Sequence, residues 1–261
     1  MTRAKKVRLA LGVAGPLVAI AVVAILNASG GEGAPPLARR VWVALALAYL
    51  FAVPLLAAAV RVEPGRDLSS LGRALLRALA PVLIGAAILL VAAITGYRGA
   101  ILPCLAIALV AAGWSALAAG AVLALARVTG AAWARAIVVA VLLAGASLPF
   151  ATSRALRSTD ATRHHRTRRI MIYLGAHGSA WMSATRAWEL APRGAPRPLP
   201  PHLDGVLYDT WAGNDWPVPY PAWPLAALVP LAMGIALAGL SWLGKPTEAP
   251  RVGDEEKEGA A

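Results

Sequence analysis

The sequence is short of acids and almost without cysteine. It carries 13 acidic residues against 25 basic ones, one cysteine and two phenylalanines among 261 residues. A lone cysteine, Cys104, excludes an intrachain disulfide and a cysteine-based metal cluster. The larger absence is of charge over long stretches. Six runs, 9–26, 41–60, 78–95, 100–126, 136–153 and 223–244, reach or approach the roughly 20 residues that cross a bilayer's hydrocarbon core. A soluble helix shows a polar stripe every 3.6 residues, whereas these are apolar all round. With 59% hydrophobic and 15% charged residues overall, the expected fold class is all-α: a polytopic helical membrane protein with six spans.

Inside the runs, the missing groups restrict the chemistry. No Asp, Glu, Lys, Arg or His stands in the central portion of any of the six. A proton-coupled transporter needs a titratable relay at mid-depth, and a membrane haem protein needs axial ligands there. An intramembrane metalloprotease needs a motif such as HExxH, which does not occur. Ser147 in GASLP has no intramembrane histidine to activate it, which argues against a serine protease. No catalytic residue, cofactor or metal is therefore assigned to the spans.

Small residues and proline are plentiful instead. AAGWSALAAG, GAAILLVAA and MGIALAG allow backbones to approach closely, within one bundle or across a homodimer seam. Pro16, Pro54, Pro81, Pro103, Pro149 and Pro230 put one proline in or beside each run, where it kinks a helix or marks its end.

A formal net charge of +12 invites a nucleic-acid reading, but the basic residues cluster beside the apolar runs, where arginine reads topology and lipid phosphate. With the N-terminus inside, the cytoplasmic short segments hold Arg3, Lys5, Lys6, Arg8, Arg61, Arg66, Arg73, Arg77, Arg127 and Arg135. The opposite ones hold Arg39, Arg40 and Arg98. Both termini are therefore expected in the cytoplasm, the tail 245–261 as a disordered extension. Arginine outnumbers lysine 21 to 4 in an alanine-rich chain, a composition associated with GC-rich bacterial genomes. The expected location is a bacterial inner membrane. The first run also resembles a signal peptide, although its apolar part is longer than the usual ~7–15 residues.

One connection stands apart, residues 154–222, about 70 long. It is expected on the outer side, in three pieces. Its basic head RHHRTRR packs Arg163, His164, His165, Arg166, Arg168 and Arg169 into seven residues, the candidate site for an anionic lipid headgroup. The apolar-aromatic run after it places Ile170, Tyr173, Leu174 and Trp181 on one side of a helix. That pattern fits an interfacial or shallow re-entrant helix, with Tyr173, Trp181 and Trp188 as anchors. A connector with five prolines follows, then an acidic-aromatic lobe with Trp211, Trp216 and the bordering Trp223 as further anchors. Arg154, Arg157, Arg163, Arg166, Arg168 and Arg169 oppose the charge rule used above, but connections beyond ~60 residues cross more freely regardless of charge. His164 and His165 are adjacent, so on a helix they point about 100° apart and rarely share one metal ion.

Six spans, a basic N-terminus and an elaborated outer segment between the last two spans resemble one permease half of an ABC-2 type exporter, powered by a separate ATPase. The sequence departs from that pattern in lacking an amphipathic helix ahead of the first span and in its long outer segment. The resemblance implies an ATPase contact at RVEPGRDLSSLGR, through Arg66 and Arg73, or at ARVTGAAWAR. Two other readings stand beside it. One is a non-enzymatic scaffold whose outer segment binds a periplasmic partner or anionic lipid. The other is an enzyme acting on a lipid-linked substrate, with Asp209, Asp215 or His177 as its base.

Overall fold

A computed structural model of the chain describes residues 37–59, 68–96, 100–158 and 222–243, with positions 166, 167, 170, 174, 177, 178, 180–184, 187 and 190. These are almost wholly helical. The elements are α1 (Leu37–Ala59), α2 (Leu68–Gly96), α3 (Ile101–Thr129), α4 (Ala131–Ser158), the short α5 (Ala180–Ser183) and α6 (Trp223–Leu243). Four of them contain segments long and apolar enough to cross a membrane: Leu76–Thr95, Ile101–Thr129, Ala131–Leu148 and Trp223–Ser241. In α1 the apolar segment Leu45–Ala59 spans about 22 Å at roughly 1.5 Å per residue. The expected run 9–26 lies outside the described residues.

The helices outrun the apolar stretches that announce them. α2 begins at Leu68, ten residues before the expected span, because backbone hydrogen bonding continues through the polar turn that holds Arg73 and Arg77. α4 likewise starts at Ala131 and runs on to Ser158, beyond the expected 136–153.

α3 is the central helix and touches α1, α2, α4 and α6. Along it, Pro103, Ala106, Ile107, Val110, Gly113, Ala116 and Gly120 are buried. Two clusters make up the core. One joins Trp42, Leu47, Leu50, Val53, Leu89, Ile107 and Met182; the other joins Ala57, Ala78, Ala118, Val122, Ala134 and Val138. The buried polar residues among those described are Ser115, Ser183 and Ser241, with no charged residue. Ser115 and Ser241 satisfy themselves by donating to the carbonyls of Ala111 and Ala238, one helical turn back.

The contacts fix the chain direction in each helix. Gly113 meets the Ala227 backbone and Gly120 meets the Gly234 backbone, so a seven-residue step on α3 matches a seven-residue step on α6. The two helices therefore run parallel. Between α3 and α4 the order is reversed, with Val122 near Val138 and Trp114 near Ala146. They are joined by a single residue, Gly130, whose φ of +81° and ψ of 154° suit glycine alone. Tyr49 packs on Gly85 while Ala57 and Ala58 pack near Ala78, so α1 and α2 are antiparallel. α1, α3 and α6 point one way, α2 and α4 the other. The first residues of α3 and of α6 thus sit at the same end of the bundle.

The outward faces are apolar. Leu83, Ile84, Ile88 and Val91 on α2, Trp133 and Val141 on α4, and Leu228, Val229 and Ile235 on α6 are all exposed. In water such faces would be a large aggregation liability. In hydrocarbon they need no cover.

Candidate functional site

Between α4 and α6 the chain returns into the bundle. Residues 166, 167, 170, 174 and 177 are helical, and the Gly178 N–H closes the last turn on the Leu174 carbonyl at 2.9 Å. Gly178 then bends, and α5 follows with Ala180, Trp181, Met182 and Ser183 all buried. Ala184 and Ala187 continue the buried stretch, and Leu190 is partly buried.

Glycine makes this entry possible. The Gly178 carbonyl lies where a side chain on Gly145 would stand, so α4 and the bend touch backbone to backbone. Pro149, four residues past Gly145, has no N–H to offer the Gly145 carbonyl. Next to it, the Trp181 indole Nε1–H donates to the Ala146 carbonyl at 3.2 Å. The same indole stacks on Phe51 of α1, ring centroids 5.9 Å apart at 24°.

Trp181 lies deep. Ala146 stands 15 residues from the start of α4 and 12 from its end. Trp114, which borders the same cavity, stands 13 and 15 residues from the two ends of α3. α5 touches α1, α3, α4 and α6. Leu50, Phe51, Pro54, Trp114, Leu142 and Ala146 line, with Trp181, a small, partly open pocket of about 20 Å3.

The sequence reading put Ile170, Leu174 and Trp181 on one helical side, with Trp181 at headgroup depth. The structure separates them. Ile170 and Leu174 are 53% and 52% exposed, together with Arg166, Thr167 and His177, whereas Trp181 is 3% exposed and inside the bundle. The bend at Gly178 resets the helical phase, so periodicity counted across it fails. Of the other candidate anchors, Trp223 opens α6, half-buried against the core. Tyr173, Trp188, Trp211 and Trp216 lie outside the described residues.

Of the basic cluster, Arg166 is on a helical, exposed position. Arg163, His164, His165, Arg168 and Arg169 lie outside the described residues, as does Arg66. Arg73 belongs to the first turns of α2. No group of three or more His, Cys, Asp or Glu is close enough to hold a metal ion among the described residues.

Sequence reasoning missed Phe51 and Ala146 as partners of Trp181, and the contact of Gly145 with Gly178. The signal for the entry was present in GAHG, the glycine pair interrupting an apolar run. Set against protein-family models, curated proteins and solved structures, the chain has no match.

Proposed function

We propose that the chain is an integral membrane subunit of the permease type, driven by a separate ATPase. On this reading it has six spans, the run 9–26 being the first, and both termini lie in the cytoplasm of a bacterium. The segment 154–222 enters from the outer side, where its basic cluster rests on anionic headgroups. The observation that supports the reading is α5. A short helix buried among α1, α3, α4 and α6, level with the middle of α3 and α4, has the form of a plug. Irregular backbone at such depth is tolerated only where protein or a water-filled cavity surrounds it. Withdrawal of α5 would leave a passage between α1, α3 and α4. The energy for that movement would come from outside, since the described buried positions carry no charged group.

A second reading is favoured by the closure of the bundle. The pocket beside Trp181 is small, about 20 Å3, and the α3–α6 seam is backbone on backbone. These features suit a rigid scaffold that presents its outer segment to a partner.

Purification from native membranes separates the two. The permease reading expects an ATP-binding ATPase in stoichiometric amount, its association weakened by Arg66→Glu or Arg73→Glu. Recovery of a non-ATPase partner alone, unaffected by those substitutions, would favour the scaffold.

A further inference from the structure

We infer that the face of α3 formed by Leu102, Leu105 and Leu109 is the seat of one phospholipid acyl chain, retained there as a bound ligand. This face is the uncovered end of the α3–α6 seam. Gly113 meets Ala227 and Gly120 meets Gly234, which puts Leu109 level with Trp223, where α6 begins. Beyond that level α3 still has the residues Ile101 to Ala108, about 12 Å at roughly 1.5 Å per residue, with no α6 beside them.

The stripe that α6 covers does not stop where α6 does. Steps of three and four residues carry it from Gly120, Ala116 and Gly113 on to Leu109, Leu105 and Leu102, along one side of one helix. Gly113, Ala116 and Gly120 are buried under α6. Leu102, Leu105 and Leu109 are 56%, 53% and 52% exposed.

The change of residue type along the stripe selects the occupant. Gly113 and Gly120 admit a helix backbone, because nothing on them projects toward the α6 carbonyls. Leucines at 102, 105 and 109 hold a second backbone off and leave shallow gaps between branched side chains. A hydrocarbon tail is thin enough to lie in such gaps and brings no polar group that needs a partner. The length agrees as well. One leaflet takes about 15 Å, half of the roughly 30 Å hydrocarbon core, against about 12 Å of uncovered face. The first turn of α6 is a step at the inner end of that face, so a tail entering from the start of α3 stops at the level of Trp223. The exposed side of α2 differs, since it runs from Leu76 through Ile84 and Ile88 to Ile94 and offers ordinary, exchanging lipid contact. The inference rests on the bundle lying in a bilayer and holds for permease and scaffold alike.

The test uses the full chain in nanodiscs of palmitoyl-oleoyl phosphatidylethanolamine and phosphatidylglycerol. A photoreactive benzophenone side chain is placed at position 105 and, as the control, at position 84, both exposed. After exchange into lipid-free detergent and irradiation, the mass of the chain is measured. Position 105 should still capture one phospholipid, and position 84 none. Leu102→Trp fills the upper part of the face and should reduce capture at position 105 several-fold. Leu228→Trp, on the exposed side of α6, should leave it unchanged. Loss of capture at position 105 in step with position 84 would overturn the proposal. So would capture of a second copy of the chain, or of residues 191–221, in place of lipid. Should Leu102→Trp fail to fold, the contrast between positions 105 and 84 alone decides.

Discussion

The Tyr49 hydroxyl donates to the Val82 carbonyl at 2.9 Å, pinning the middle of α1 to α2. The edge of its ring points at Gly85, where a methyl group would overlap the ring carbons. Tyr49→Phe removes the bond and keeps the ring, so it should lower stability by about 0.5–1.5 kcal/mol. Gly85→Ala must move the ring and break the bond as well, and should be the worse of the two. Thermal unfolding in detergent, followed by tryptophan fluorescence, ranks them.

The seam between α3 and α6 predicts a sharper contrast among glycines. At Gly120 and Gly234 an added methyl meets backbone atoms of the facing helix, which cannot swing aside. Gly120→Ala and Gly234→Ala should therefore force the two helices apart and lower the folded, monodisperse yield several-fold. Gly239 sits on the same α6 with nothing within 4 Å of the added carbon. Gly239→Ala should be neutral to slightly stabilising, since alanine is the better helix former. Size-exclusion profiles of the three variants check this.

How much of this was legible in the sequence differs from element to element. The charge-free runs at 100–126 and 223–244 nearly coincide with α3 and α6, because charge marks where a helix leaves an apolar environment. The same rule misses the first ten residues of α2, where the helix extends through polar turns. GxxxxxxG in α3 and its counterpart AxxxxxxG in α6 carry the parallel pairing. In so alanine-rich a chain, however, many small-residue pairs share that spacing, and only the contacts single one out. Trp181, read from the sequence as an interfacial anchor, lies buried inside the bundle. A bend at Gly178 is invisible to a periodicity count, and nothing in the sequence pairs Trp181 with Phe51 or Ala146, 130 and 35 positions away.

Two further glycines should respond with opposite signs. Gly130 holds the single-residue junction of α3 and α4 at a φ that other residues avoid, and Gly130→Ala should destabilise by about 1–3 kcal/mol. Gly72 is inside α2 with open space where its side chain would be. Gly72→Ala should stabilise by about 0.5–1 kcal/mol. Equilibrium unfolding of both variants, under one set of conditions, gives the two signs.

The stack of Phe51 on Trp181 should be measurable as a coupling. Trp181→Ala leaves a large hole in a packed site and should cost about 3–5 kcal/mol. Trp181→Leu and Phe51→Leu, with their double variant, form a gentler cycle. Its interaction energy should be about 0.5–1.5 kcal/mol, against near zero for Phe51 paired with the distant Trp133.

The central claim is that an alternating bundle of membrane helices is entered from one side by the α5 segment. Labelling of single cysteines tests it most directly. In a Cys104→Ala background within sealed vesicles, Arg98→Cys and His165→Cys should react with a membrane-impermeant maleimide from the same side. Arg66→Cys and Lys245→Cys should react only from the other. Met182→Cys should stay unreactive from both sides until the protein is denatured. Rapid labelling of Met182→Cys in the folded protein, or His165→Cys reacting on the side of Arg66→Cys, would contradict the account.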